Sequence, residues 1–265
     1  MRVEVIHPHG FCAGVERALR MARAALAERN VYAAAEIYCL HEIVHNETVV
    51  QGLAEQGMHF VESVEEVPEG AVMLISAHGV SPAVRVAADS RHIRVVDATC
   101  PFVAAAHAKI RENFSKGLRT VVVGAPDHAE VRGYLGEPGA CLPEDVAPGE
   151  PTGKVVQTTL EASAYEGVCT ATRDRQQAVL SFVEKQRRAS GRLAAIGVLV
   201  VGSMKSANTG RLAEIAKQAG ALSWRIGSPD EVNAIDFSGI DVLGVTSGAS
   251  TPEETLHAVL SALKE

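Results

Sequence analysis

Aromatic residues make up only 4% of this 265-residue sequence, with a single tryptophan. That scarcity argues against an antiparallel sandwich with a ring-filled core. It favours small helices packed closely on parallel strands, in keeping with the abundance of alanine, valine and glycine. Excess positive charge is also lacking. The formal net charge is -7, which disfavours nonspecific binding of nucleic acid or an anionic membrane over the whole surface and leaves room only for a local basic pocket. No apolar run reaches the ~18 residues that a membrane span requires. Closely spaced cysteine pairs are absent and the count of five is odd, so neither a disulfide framework nor a CxxC zinc knuckle is expected. Met1 to Ile6 reads as a strand rather than a signal peptide, which predicts a cytoplasmic location with reduced thiols. No GxGxxG follows that strand, which disfavours a dinucleotide-binding module.

What is present is ample apolar material, 47% of residues, arranged as strands alternating with helices. Strands are expected at about Arg2–Ile6, Glu36–Leu40, Ala71–Ser76, Ile93–Val96, Arg119–Gly124, Lys154–Gln157, Ala195–Gly202, Leu222–Ile226 and Asp241–Thr246. Helices are expected between them, among them Val15–Arg29, Phe102–Lys116, Asp174–Ala189, Thr209–Ala219 and one from Pro252. This alternation predicts parallel sheets with right-handed crossovers. The Pro-, Gly- and acid-rich stretch Glu137–Gly153 reads as an irregular connection. The spacing suggests three small α/β lobes, 13–97, 98–166 and 167–265, the last completed by the N-terminal strand and loop 1–12.

Chemistry gathers in the loops after strand ends, where α/β proteins bind ligands. Cys12, Cys100 and Cys169 each lie in such a loop. Any one of them alone reads as a small buried hydrophobe. As a set they suit an iron–sulfur cluster held by three thiolates, with one iron open to substrate. Cys39, inside a strand, and Cys141, in the irregular connection, take the bland reading. His41, His78 and His128 occupy three more strand-end loops and suggest donors for a diphosphate, while His45 and Asn46 read as supporting residues or helix surface. Glu130, two residues after His128, reads either as a helix-start charge or as a proton source. Thr158 reads as a cap or a relay hydroxyl. The stretches Gly202–Thr209 and Thr246–Pro252 offer hydroxyls, amides and backbone N–H groups that serve as helix caps or as an anion site.

Taken together, Gly10-Phe11-Cys12-Ala13-Gly14-Val15, His41-Glu42-Ile43-Val44-His45-Asn46, Ser76-Ala77-His78-Gly79-Val80, Asp97-Ala98-Thr99-Cys100-Pro101, Gln157-Thr158-Thr159-Leu160, Arg175-Gln176 and Gly248-Ala249-Ser250 resemble the 4-hydroxy-3-methylbut-2-enyl diphosphate reductase, or LytB, family. The resemblance implies an α/β fold of three lobes with mostly parallel sheets around a central [4Fe-4S] cluster bound by Cys12, Cys100 and Cys169. It implies that His41, His78, His128, Thr158, Ser206, Asn208 and Ser250 bind an allylic diphosphate, and that Glu130 and Thr158 deliver protons. Ferredoxin or flavodoxin is the implied electron donor, and the product would be isopentenyl and dimethylallyl diphosphate. Several departures stand out: a shortened segment between Leu160 and Cys169, Ala207 where a serine is usual, Ala129 and Arg132 where a proline and a glutamate are usual, and Asp174 where an asparagine is usual. They leave two alternatives, a relative acting on another allylic or enoyl substrate and a cluster-bearing redox sensor without catalysis.

Overall fold

Runs of β-branched and aliphatic residues, separated by amphipathic helices, form three parallel sheets in a computed structural model that describes residues 1–28, 36–189 and 195–264. In chain order the first elements are β1 (Arg2–Val5), α1 (Ala13–Ala27), β2 (Ile37–Leu40), α2 (Glu47–Glu55), β3 (Met58–Val61), β4 (Val72–Ile75), α3 (Pro82–Ser90) and β5 (Arg94–Asp97). Then come α4 (Pro101–Ser115), β6 (Arg119–Val123), α5 (Ala129–Leu135), β7 (Ala140–Cys141) and β8 (Thr152–Val156). The chain continues with α6 (Thr170–Ala189), β9 (Ile196–Val201), α7 (Ala207–Gln218), β10 (Leu222–Ile226), β11 (Val242–Ser247) and α8 (Glu253–Ala262). The sheets run β1-β11-β9-β10, β3-β2-β4-β5 and β7-β6-β8.

The chain divides into two compact units, one formed by Met1–Cys12 with Thr159–Glu265 and the other by Ala13–Thr158. In the first, β9 and β11 are buried at every position, as expected of central parallel strands covered on both faces. Val198 and Val200 pack with Val179, Phe182 and Leu212 on one side, while Leu199, Leu243 and Val245 pack with Leu256 and Val259 on the other. Gly244 permits the first packing, since a Cβ there would stand 2.5 Å from Phe182 Cε1. The N-terminal strand completes this sheet, with Arg2 opposite Val242.

In the second unit β2 and β4 are the wholly buried central strands and lie side by side, Ile37 opposite Val72 and Leu40 opposite Ile75. The neighbouring sheet centres on β6, flanked by β7 and β8.

Sequence periodicity misses two strands. Met58–Val61 lies at a sheet edge with His59 exposed, so it lacks the continuous aliphatic run that marks the central strands. Ala140–Cys141 is a two-residue strand within the stretch expected to be irregular. Helix α6 begins at Thr170, a turn earlier than expected, so Cys169 directly precedes it. The expected end of the first helix at Arg29 lies outside the described residues.

Candidate functional site

Parallel strands aim their carboxyl ends the same way, and most of the residues singled out above follow such an end. Cys39 and Cys141 lie within β2 and β7, and Cys169 stands at the far end of the connection from β8, directly before α6, with no strand among the described residues leading into it. In the Ala13–Thr158 unit the adjacency of β2 and β4 sets the segment after Leu40 beside the loop after Ile75. His45, His78 and His128 meet there. Their ring centroids are 4.4 Å apart for His45 and His78, 5.3 Å for His45 and His128, and 5.6 Å for His78 and His128. One ring nitrogen from each lies within 4.8 Å of the others. Burial lowers His78 well below the usual imidazole range, and the rings of His45, His128 and His41 add to it. Burial and the His45 ring likewise bring His128 down to about 4. A buried ring held neutral gains a proton when an anion arrives, so His78 and His128 are poised to receive negative charge.

His41, which the sequence groups with His78 and His128, follows the same strand end as His45 and turns its ring toward Glu62. Its backbone is left-handed at φ 59, and its Nδ1 lies 3.0 Å from Glu62 Oε2. The chain then buries Ile43 and Val44 completely and returns at His45, immediately before the Asn46 cap of α2, whose side chain accepts from Val49 N–H. His45 thus stands with His78 and His128, while His41 faces Glu62 and still lies close enough to act on His78. The signal lay in the sequence: Asn46 as a cap, preceded by an apolar pair, pins the residue between them.

Glu130 is 2% exposed, on the first turn of α5 behind the His128 cap, whose Nδ1 accepts from Glu130 N–H. Its Oε1 accepts from Thr158 N–H at 2.6 Å and from the Tyr134 hydroxyl at 3.0 Å, and its Oε2 faces Thr158 Oγ1 at 3.0 Å. Burial raises the carboxyl to about 7 even though these hydrogen bonds favour the charged form. Tyr134 was not foreseen. Its spacing of four residues from Glu130 on a helix was the available clue.

Cys100 caps α4 ahead of Pro101, and its N–H donates to Ala77 O. Arg17 donates to Thr99 O and fastens the same loop to α1.

In the other unit the Cys12 loop is anchored by Gly10 N–H to Ser247 Oγ at 2.8 Å and by Cys12 N–H to Ala249 O at 3.1 Å. Cys169 stands at the start of α6, where its Sγ accepts from Thr172 N–H at 3.4 Å and lies 3.1 Å from Thr172 Oγ1. The strands β9 and β11 are neighbours, so the loops carrying Ser206 and Ser250 emerge together. Ser206 caps α7 by accepting from Thr209 N–H. Asn208 is 4% exposed, and neither atom of its amide has a hydrogen-bond partner among the described residues. A buried amide left in that state costs on the order of 1–3 kcal/mol unless a ligand answers it.

The donor set fits an iron–sulfur cluster. Cys12, Cys100 and Cys169 are part-exposed, none of the five cysteines, all of them described, is in a disulfide, and thiolates are the soft ligands that such clusters take. The buried Arg175 guanidinium feels both the Cys12 and Cys169 sulfurs. Cys39 and Cys141 are buried instead, and burial pushes their thiols up, away from the ligating thiolate form.

The parallel α/β fold and these loops define a member of the LytB protein family, whose sequence model matches residues 3–264, and the chain belongs to that family. Among its relatives is a protein from Mannheimia succiniciproducens named 4-hydroxy-3-methylbut-2-enyl diphosphate reductase, 37% identical, with 100% of this chain and 90% of the relative covered. A protein of the same name from Haemophilus influenzae strain PittEE is 38% identical over the same shares. The solved structure of E-1-hydroxy-2-methyl-but-2-enyl-4-diphosphate reductase from Plasmodium falciparum is 26% identical with a TM-score of 0.87, covering 100% of this chain and 88% of that one. Another, titled (E)-4-hydroxy-3-methyl-but-2-enyl diphosphate reductase, the terminal enzyme of the non-mevalonate pathway, is 28% identical with a TM-score of 0.68, covering 100% and 99%.

Proposed function

We propose that this chain reduces 4-hydroxy-3-methylbut-2-enyl diphosphate to isopentenyl and dimethylallyl diphosphate. The family supports this reading. The observation that carries it is Glu130, a wholly buried carboxyl raised to about 7 beside the Thr158 hydroxyl. Cys12, Cys100 and Cys169 would hold a [4Fe-4S] cluster, and when bound it supplies an open iron site and electrons one at a time. His41, His45, His78 and His128, with Ser206, Asn208 and Ser250, bind the diphosphate. Thr158 holds the substrate's hydroxyl end.

The reaction takes two electrons and two protons and releases one water. One proton goes to the departing hydroxyl and the other to either end of the allyl system, which accounts for two products. Oε1 of Glu130 already accepts two hydrogen bonds, so the acidic proton resides on Oε2 and passes to Thr158 Oγ1, whose own proton moves on to the leaving oxygen. A small reduced carrier such as ferredoxin or flavodoxin supplies the electrons, and the cytoplasm, where thiols stay reduced, is the compartment this chemistry requires. The ranges 13–97, 98–166 and 167–265 with 1–12 are read as three lobes because each contains the strands of one sheet.

Anaerobic incubation of the reconstituted protein with the allylic diphosphate and a reduced dye tests the reading. Chromatography should recover both isomeric diphosphates. A cluster that forms without either product would instead favour another substrate or a redox-sensing role.

A further inference from the structure

Arg175 sits in the second turn of α6 and is 4% exposed. Its Nη2 donates to Gly10 O at 2.8 Å and its Nη1 to Ala171 O at 3.0 Å. The first carbonyl lies two residues before Cys12 and the second two residues after Cys169. The guanidinium therefore ties the Cys12 loop to α6, at whose start Cys169 stands. Its Nε–H is buried and has no acceptor among the described residues. A buried guanidinium with a donor to spare is costly in a finished fold. Burial lowers the guanidinium from its usual value, and Cys12, Cys169 and Asp174, in that order, act against it. Asp174 is exposed to solvent, where screening weakens it. Both cysteines of the unit thus lie near a buried cation that has one hydrogen bond still to give.

We propose that Arg175 is a positioning residue of the iron–sulfur site: it sets the spacing of the Cys12 and Cys169 loops, and its charge and remaining N–H stabilise the reduced cluster. This rests on the cluster reading of the preceding section. An electron added to an anionic cluster is stabilised by a buried cation and by N–H donors to its sulfurs, both of which raise the reduction potential. Lysine at this position keeps the charge but cannot hold two carbonyls and offer a third donor, because its ammonium is a point rather than a fork. Glutamine removes the charge as well.

The test is the midpoint potential of the reconstituted wild-type, Arg175→Lys and Arg175→Gln proteins, followed by electron paramagnetic resonance without substrate. Iron per chain and thermal unfolding of each apoprotein are measured beside it. The expected order is wild type highest, lysine lower and glutamine lowest, with cluster content falling in the same order. A residue that only braces the fold would lower the unfolding temperature and leave the potential of the surviving clusters unchanged. Equal potentials in wild type and Arg175→Gln overturn the inference. If Arg175→Gln retains no cluster, Arg175→Lys decides: a lowered potential supports the proposal and a wild-type potential overturns it. A wild-type protein that assembles no cluster removes the underlying reading itself, which separates that failure from a failure of the role given to Arg175.

Discussion

Glu130 couples the proposed chemistry to stability. Its folded carboxyl is raised to about 7 from an ordinary 4.5, so the stability it contributes is fully present below the unfolded value and is lost as pH rises through the folded one. The loss is on the order of 3 kcal/mol once both states are ionised. Glu130→Gln keeps the shape and removes the titration. Urea unfolding at a series of pH values should show the wild type falling relative to Glu130→Gln between about pH 5 and pH 8; parallel curves would mean that Glu130 is already ionised in the fold. The histidines make a second residue-scale prediction. Each imidazole that meets a phosphate oxygen contributes a charge-assisted hydrogen bond, so His45→Ala should weaken diphosphate affinity by roughly ten- to a hundred-fold and His41→Ala, where the ring already faces Glu62, by only a few-fold. Calorimetric titration with the substrate decides, and the reverse order would give His41 the larger share of the diphosphate. His78, His128, Glu130 and Thr158 were legible in the sequence because each lies within a few residues of a strand end. His45 was not, because its position depends on the left-handed turn at His41 and on the burial of Ile43 and Val44, neither of which spacing alone reveals.

Among the elements, α7 depends on two glycines that flank its start. A Cβ on Gly248 would stand 2.1 Å from Thr209 Oγ1, and one on Gly202, at φ +148, would stand 2.5 Å from Thr251 Oγ1. Thr209 is wholly buried and adjoins Asn208, so anything that displaces it moves the amide proposed to meet the diphosphate. Gly248→Ala is expected to cost about 1–3 kcal/mol through overpacking and to weaken diphosphate binding with it. Urea midpoints together with calorimetry check both effects; an unchanged affinity would separate Asn208 from the binding site. The major strands were legible because buried parallel strands are near-continuous aliphatic runs, as Ile196–Val201 illustrates. The edge strands Met58–Val61 and Ala140–Cys141 escape because neither carries a continuous aliphatic run, and what makes them strands is pairing with β2 and β6.

On the scale of the whole molecule, the family match extends almost from end to end, yet alignment to the Mannheimia relative runs over 297 positions against 265 residues in this chain. Relatives therefore carry segments that this chain does without, in line with the shortened stretch before Cys169. Here that stretch is a series of turns braced by Gln176, which accepts from Ala162 N–H and donates to Leu160 O, so α6 itself secures the connection. The three cysteine loops, the histidine trio and the buried acid all remain. In the proposed function these parts work together on an allylic diphosphate. The most direct measurement is the anaerobic rate of viologen oxidation by the reconstituted protein with 4-hydroxy-3-methylbut-2-enyl diphosphate, beside Glu130→Gln carrying the same iron content. Substrate-dependent oxidation that falls at least a hundred-fold in the variant, in the range that a general acid contributes of roughly 10²–10⁴, is the predicted result. Equal rates in the two proteins, or no oxidation by a wild type with its cluster intact, would contradict it.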